Sequence, residues 1–324
     1  MRTLVTGASG FVGRHLLPRL IAAGDAVLGV GLDPEGGASP PPGASWERLD
    51  LLDAGGLAAR VADFRPERVV HLAGQSAQGL ALADPAPSVR VNVLGTLHLL
   101  EALRRGAPAA RLLVISSGEV YGNPGPAPVG EDSPVAPVNP YGASKAAAEI
   151  LVGQARRAWG ARAIIARSFP HTGPGQRPDF ALPAFARQVA RIEAGLQPPQ
   201  LSVGNLETRR DFLDVEDVVA AYLLLLEAEP AAGLGGEIFN VCSGRTHSIR
   251  EGLDGLLALA NAPGGAPIAV ATNPALLRPA DQPVLCGRPD KLKAATGWSP
   301  RHEFPSLLAR VLADWRRRTA EETA

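Results

Sequence analysis

The segment Thr3–Gly13 reads TLVTGASGFVG, a short strand-like run, three glycines at three-residue spacing, and the start of an apolar helical pattern. Few folds accommodate such a turn. Gly7, Gly10 and Gly13 allow the backbone to bend sharply and to come close to a phosphate, whose charge then meets the helix N-terminus. At the first strand of a strand–helix–strand unit, that is where a dinucleotide pyrophosphate docks. The spacing is GxxGxxG, not the GxGxxG of simple dehydrogenases, so the triplet takes its meaning from the rest of the chain.

The rest of the first half supports it. Ala26–Val30 (AVLGV), Arg68–Leu72 (RVVHL), Arg111–Ser116 (RLLVIS) and Arg162–Ala166 (RAIIA) read as buried strands. Segments such as Val91–Leu103 (VNVLGTLHLLEAL) carry apolar residues at helical spacing between them. This alternation predicts an α/β protein with a doubly wound parallel sheet. Two Pro/Gly-rich loops, 33–45 and 123–139, interrupt it. The second follows a strand's C-terminal end, the side on which open α/β sheets hold ligands. After about residue 170 proline becomes more frequent, elements shorten and arginines scatter through loops. The expectation is a dinucleotide-binding portion over 1–167 and a smaller substrate-binding portion over 168–324, with a late strand at 237–242 rejoining the main sheet.

Charge and cysteine content narrow the partners. Lys plus Arg and Asp plus Glu are 32 each, which argues against nucleic acid or an anionic membrane as the main partner. Cys242 and Cys286 cannot form a framework of bridges, and no His/Cys cluster has metal-ligand spacing, so no metal is expected. The N-terminus is interrupted by Gly and Ser too early for a signal peptide, and the longest apolar run, Val218–Leu226, is too short to span a bilayer. A cytoplasmic protein is expected.

The chemistry is concentrated in Asn139–Ile150, NPYGASKAAAEI. The chain has three tyrosines and three lysines, and one of each falls here four residues apart. Asn139 suits an N-cap and Pro140 a first helical position, so Tyr141 and Lys145 share a helix face. A phenol titrates near 10 and is a poor proton carrier at neutral pH, but a neighbouring ammonium should lower that value. Tyr–Lys at this spacing is therefore read as a general acid/base beside a hydride carrier. The hydroxyl expected to hold the reacting oxygen is Ser117 in ISSGEVYG (Ile115–Gly122), directly after a strand. At the end of the second strand, Val30-Gly31-Leu32-Asp33 leaves NAD and NADP both open. A glycine makes room for a 2′-phosphate, whereas an aspartate would bind ribose hydroxyls.

These motifs resemble the extended short-chain dehydrogenase/reductases, the nucleotide-sugar epimerase/dehydratase family, over essentially the whole chain. GASGFVG, Asp50-Leu51-Leu52-Asp53, HLAGQS (His71–Ser76), Asn92 in VNVLGT, SSGEVYG and YGASK carry the likeness. The resemblance implies a Rossmann-type sheet, NADP or NAD as cofactor, a catalytic triad of Ser117, Tyr141 and Lys145, and Glu119 as a further catalytic carboxylate. It assigns the cofactor to Gly7, Gly10, Phe11, Val12 and Gly13, to Asp33, Asp50 and Leu51 on the adenine side, and to Leu72, Ala73, Gly74 and Asn92. Ser116, Tyr141, Lys145, Phe169 and His171 complete that set. RSFPHTGPGQ (Arg167–Gln176), VGNLETRRDFLDVEDVV (Val203–Val219), NVCSG (Asn240–Gly244) and RPADQPVLCGRPDKLKAATGWSP (Arg278–Pro300) narrow the branch. They are similar to GDP-mannose 4,6-dehydratases and, more closely, to the reductases that make GDP-D-rhamnose. By that likeness Gln75, Ser117, Arg187, Val203, Asn205, Arg210, Arg278 and Asp281 contact a GDP-sugar. A homodimer is implied through helices at 88–105 and 140–159. The chain departs at Pro170, where relatives have an asparagine; proline offers neither a side-chain amide nor an N–H.

The implied reaction is NAD(P)H-dependent reduction of the C4 ketone of GDP-4-keto-6-deoxy-D-mannose to GDP-D-rhamnose. The alternatives are a GDP-mannose 4,6-dehydratase with Glu119 as C5 base, a UDP-sugar 4-epimerase using the same triad, and a non-catalytic dinucleotide sensor on the same fold.

Overall fold

The computed structural model describes residues 1–32, 41–76, 78–227, 238–261, 265, 267–277 and 282–322. Its centre is a seven-stranded sheet in which all neighbours run parallel. The strands are β1 (Arg2–Thr6), β2 (Ala26–Gly31), β3 (Ala44–Arg48), β4 (Arg68–His71), β5 (Arg111–Ser117), β6 (Arg162–Ser168) and an edge strand, Ile238–Val241. Their spatial order is edge strand, β6, β5, β4, β1, β2, β3. The winding therefore reverses between β1 and β4, and a crevice opens beyond their C-terminal ends, where such sheets bind ligands.

The strands are continuous apolar runs because both faces are covered. Val5 and Val70 point to one side and pack with α1 (Phe11–Ala22) and α8 (Val215–Glu227). Their neighbours Leu4 and Val69 point to the other, onto α2 (Ala54–Phe64), α5 (Gly95–Gly106) and α6 (Pro140–Trp159). Burying each such side chain contributes about 1.5–3 kcal/mol.

Two sequence expectations differ from what forms. Ala44–Arg48 begins inside the predicted 33–45 loop, yet it pairs with β2 and lays Trp46 over Gly29 and Gly31. It lies at an edge and is only partly buried, so no apolar run marks it. The single helix expected over 88–105 is instead α4 (Pro85–Val89), a π-helical turn (Arg90–Leu94) and α5. Such turns recur at functional sites, and the buried Asn92 sits within this one.

A second core joins α7 (Ala181–Glu193), α9 (Ile249–Ala258) and α11 (Phe304–Glu322) to the parallel pair Gln200–Val203 and Ala269–Thr272. The later half also returns to the first core, because α8 and Trp298 pack against it. Among the described residues no helix is long and apolar enough to cross a membrane.

Candidate active site

The glycine turn lies at the β1 side of the crevice. Gly7 has a left-handed φ of 68° and its N–H donates to the Val30 carbonyl at 2.8 Å. A Cβ there would stand 2.6 Å from the Ala73 nitrogen, so the β1 and β4 loops touch only because residue 7 has no side chain. Gly13 has the same role between turn and helix, since its Cβ would meet the Ala8 carbonyl oxygen at 2.2 Å. No side chain caps α1, which leaves the N–H groups of Phe11, Val12 and Gly13 to an anion. These features fit a dinucleotide pyrophosphate.

Helix α6 sets the other wall. Asn139 caps it, its Oδ1 accepting from Gly142 N at 2.8 Å, and Gly160 ends it with a left-handed φ of 74°. The Asn139 amide also donates to Glu119 Oε2 at 2.9 Å, so the same cap fixes that buried carboxylate. Ser117 ends β5 and its Oγ accepts from Glu119 N at 3.2 Å, capping the short 3-10 turn Gly118–Tyr121. Tyr141 brings its hydroxyl next to Ser117 on this turn.

Electrostatics correct one expectation. Lys145 does not depress the phenol. Burial pushes Tyr141 up to about 12; the Ser117 hydrogen bond pulls it back and the Glu119 charge raises it further. The Lys145 ammonium, 8% exposed, instead donates to the Ile115 carbonyl at 2.8 Å. Burial brings Lys145 down to about 8, against the pull of Glu149 one turn along the helix.

Neutral hydrogen bonds tie these walls together. Asn92 Oδ1 accepts from Gln75 N at 2.9 Å, while its amide donates to Ser144 Oγ on α6 at 2.8 Å. Gly74 lies beside Lys145, since a Cβ there would stand 3.2 Å from Nζ. Thr96 donates to the Asn92 carbonyl, so it accepts from His71 Nε2, and His71 Nδ1 accepts from Thr6. Burial, with the nearby Lys145 charge, brings His71 down to about 3 and keeps it neutral.

The other candidates fall into distinct positions. Leu72 and Ala73 follow β4 and are partly buried at the crevice. Asp50 is exposed and accepts from Leu52 N, whereas the Leu51 side chain belongs to the core. His171 stacks on Phe11 with centroids 6.1 Å apart. Phe169 is wholly buried beneath Gly118, and Ser116 is buried and donates to Glu149 at 2.5 Å, so both side chains are committed to the interior. Val203 likewise packs its side chain into the second core. Arg187 lies over the Trp315 ring, Asn205 accepts from Glu207 N, and Arg210 donates to the Gln282 carbonyl at 2.7 Å. Asp33, Arg278 and Asp281 lie outside the described residues. Ser144 and Asn139, which hold Asn92 and Glu119, are contacts that motif reading passed over. The NPY start marks Asn139 as a cap but gives no sign of its second partner.

Fold and crevice together define an NAD(P)-dependent enzyme of the short-chain dehydrogenase/reductase class. The family model GDP-mannose 4,6 dehydratase matches residues 4–311, and the chain belongs to that family. It is 40% identical to the GDP-6-deoxy-D-mannose reductase of Pseudomonas aeruginosa, over 99% of each chain. Among solved structures, RMD from Pseudomonas aeruginosa complexed with NADPH matches with a TM-score of 0.80 and 37% identity, over 98% of this chain and all of that one. The UDP-glucose 4-epimerase of Thermotoga maritima with UDP-glucose matches with a TM-score of 0.87 and 25% identity, at 98% and 100% coverage.

Proposed function

We propose that the protein reduces the C4 ketone of GDP-4-keto-6-deoxy-D-mannose to GDP-D-rhamnose, using NADPH or NADH. The near full-length likeness to a GDP-6-deoxy-D-mannose reductase supports the substrate. The same likeness supports the direction, and the geometry that goes with it is Tyr141 at the start of α6 set beside Ser117 at the end of β5, its phenol held protonated by burial. The bound reduced nicotinamide supplies the hydride. As C4 becomes tetrahedral, the carbonyl electron pair moves to oxygen, Ser117 donates a hydrogen bond to that oxygen, and Tyr141 delivers the proton. Lys145, as an ammonium donor beside Gly74, would hold the nicotinamide ribose, and solvent returns a proton to the phenolate. Gly7, Gly10 and Gly13 with the α1 N-terminus hold the pyrophosphate.

The same reading makes the enzyme cytoplasmic and homodimeric. Both cysteines are free and buried. Helices α3 (Gln78–Ala83) and α4 pack against α6, and this region leaves Leu80, Val89, Leu94 and Ile150 exposed, the last at 69%. An apolar surface of this kind suits a second copy of the chain.

Lys145 sets a testable pH limit. Its ammonium is present below about pH 8 and lost as pH rises through that value. The kcat/KM for the nicotinamide cofactor, which reports the free enzyme, should fall with an alkaline midpoint near there. Tyr141 titrates too high to set it.

A second reading, the 4,6-dehydratase, draws on Glu119, a buried carboxylate whose charge acts on Tyr141. In that reaction it would take the C5 proton. Mixing the protein with the 4-keto sugar and NADPH or NADH, and separately with GDP-mannose and no added cofactor, separates the two. Cofactor oxidation in the first mixture alone is the expected result. A 4-keto product in the second would replace the reductase with the dehydratase.

A further inference from the structure

Behind Lys145 lies a buried ion pair that no step above uses. Glu149 is four residues beyond Lys145, hence on the same helix face. Arg167, in β6, grips it with a fork, Nη2 to Oε2 at 2.7 Å and Nε to Oε1 at 3.0 Å. Both side chains are buried. Glu149 Oε1 also accepts from Ser116 Oγ at 2.5 Å. On its outer side Arg167 donates to Tyr121 Oη at 2.9 Å and to the Glu131 carbonyl at 3.3 Å, and Tyr121 donates to Asn240 Oδ1 at 2.7 Å. Ser116 and Tyr121 flank Ser117–Val120, so the pair holds both ends of the turn carrying Ser117 and Glu119. Successive turns of α6 thus grip consecutive residues of β5: Lys145 holds the Ile115 carbonyl and Glu149 the Ser116 hydroxyl.

A buried ion pair is weak evidence of stabilisation, because taking two charges out of water offsets most of their attraction. Its placement calls for another role. We propose that Glu149 is a positioning residue of the active site, fixing the end of β5 through Ser116 and keeping the adjacent Lys145 ammonium charged, with Arg167 as the clamp that orients it. The groups that face Lys145 are few. On β4 His71 is neutral, on β5 the partner is the uncharged Ile115 carbonyl, and on α6 itself stands Glu149. Among the described residues Glu149 is the one anion acting on that ammonium, and it opposes the effect of its burial. Glu119, the other nearby carboxylate, acts on Tyr141.

That Lys145 must be charged for turnover rests on the proposed function; that Glu149 keeps it charged does not. The test therefore reads the lysine directly. Full-length protein labelled with carbon-13 at lysine Cε gives one resonance each for Lys145, Lys291 and Lys293, and Lys145→Arg assigns the first. In Glu149→Gln the Lys145 midpoint should move down from about 8 by roughly one pH unit or more. The alkaline edge of kcat/KM should move with it, and kcat at neutral pH should fall about tenfold as the Ser117 turn loosens. Glu149→Gln leaves Arg167 buried without its partner. Should that variant not fold, Glu149→Gln/Arg167→Met removes both charges and is titrated in its place, with a smaller downward shift expected because the Arg167 charge goes with that of Glu149. A Lys145 midpoint unchanged in the folded variant would overturn the proposal. A midpoint that moves while kinetics stay as in the parent would keep the charge coupling, overturn the positioning role, and remove Lys145 from the reaction.

Discussion

Tyr141→Phe is expected to lower kcat by about 10²- to 10⁴-fold, the range spanned by removal of a general acid. The phenol is the group placed to protonate a C4 alkoxide, and its ring fits the same space without the hydroxyl. Ser117 would then lose the neighbouring Tyr141 hydroxyl, while the glycine turn, the Asn92 clamp and the Lys145–Ile115 contact remain. Nicotinamide affinity should change less than about threefold, as read by fluorescence titration. Activity near that of the parent would remove Tyr141 from proton transfer.

Gly7→Ala should be strongly damaging. Alanine at a φ of 68° costs about 1–2 kcal/mol in strain alone. Its Cβ would also stand 2.6 Å and 2.7 Å from the Ala73 backbone, which must move away. The expected destabilisation is about 3 kcal/mol, with nicotinamide binding lost because the β1 and β4 loops no longer meet. Gly24→Ala is the control. Gly24 has a φ of 85° and open space where a Cβ would go, so only the strain term of about 1–2 kcal/mol applies. Equal melting temperatures for the two variants would mean that the close approach at Ala73 contributes nothing.

The contrast between those glycines also shows what a sequence can reveal. GASGFVG is legible because its glycines, its strand and its helix are contiguous. The Asn139–Pro140 start of α6 is legible for the same reason, and with it the shared face of Tyr141 and Lys145. Positions set by distant partners are not. Val203 and Phe169 lie in motifs matched to ligand binding, yet their side chains point into cores, because which side of a short strand or bend faces inward depends on the elements packed there. Arg167 reads as the first residue of the motif RSFPHTGPGQ, and only the meeting of β6 with α6 reveals its partner Glu149. The expected lowering of Tyr141 failed similarly. Sequence spacing put an ammonium on its face but could not show that the ammonium bonds the Ile115 carbonyl while the phenol is desolvated.

Isotope transfer is the most direct trial of the reductase assignment. The protein is incubated with GDP-4-keto-6-deoxy-D-mannose and nicotinamide cofactor deuterated at the transferable position, and the sugar product is read by NMR. Deuterium bonded to sugar C4, in a product identified as GDP-D-rhamnose, is the predicted outcome. Sugar recovered without deuterium at C4, from protein that binds the cofactor normally, would contradict hydride delivery beside Tyr141.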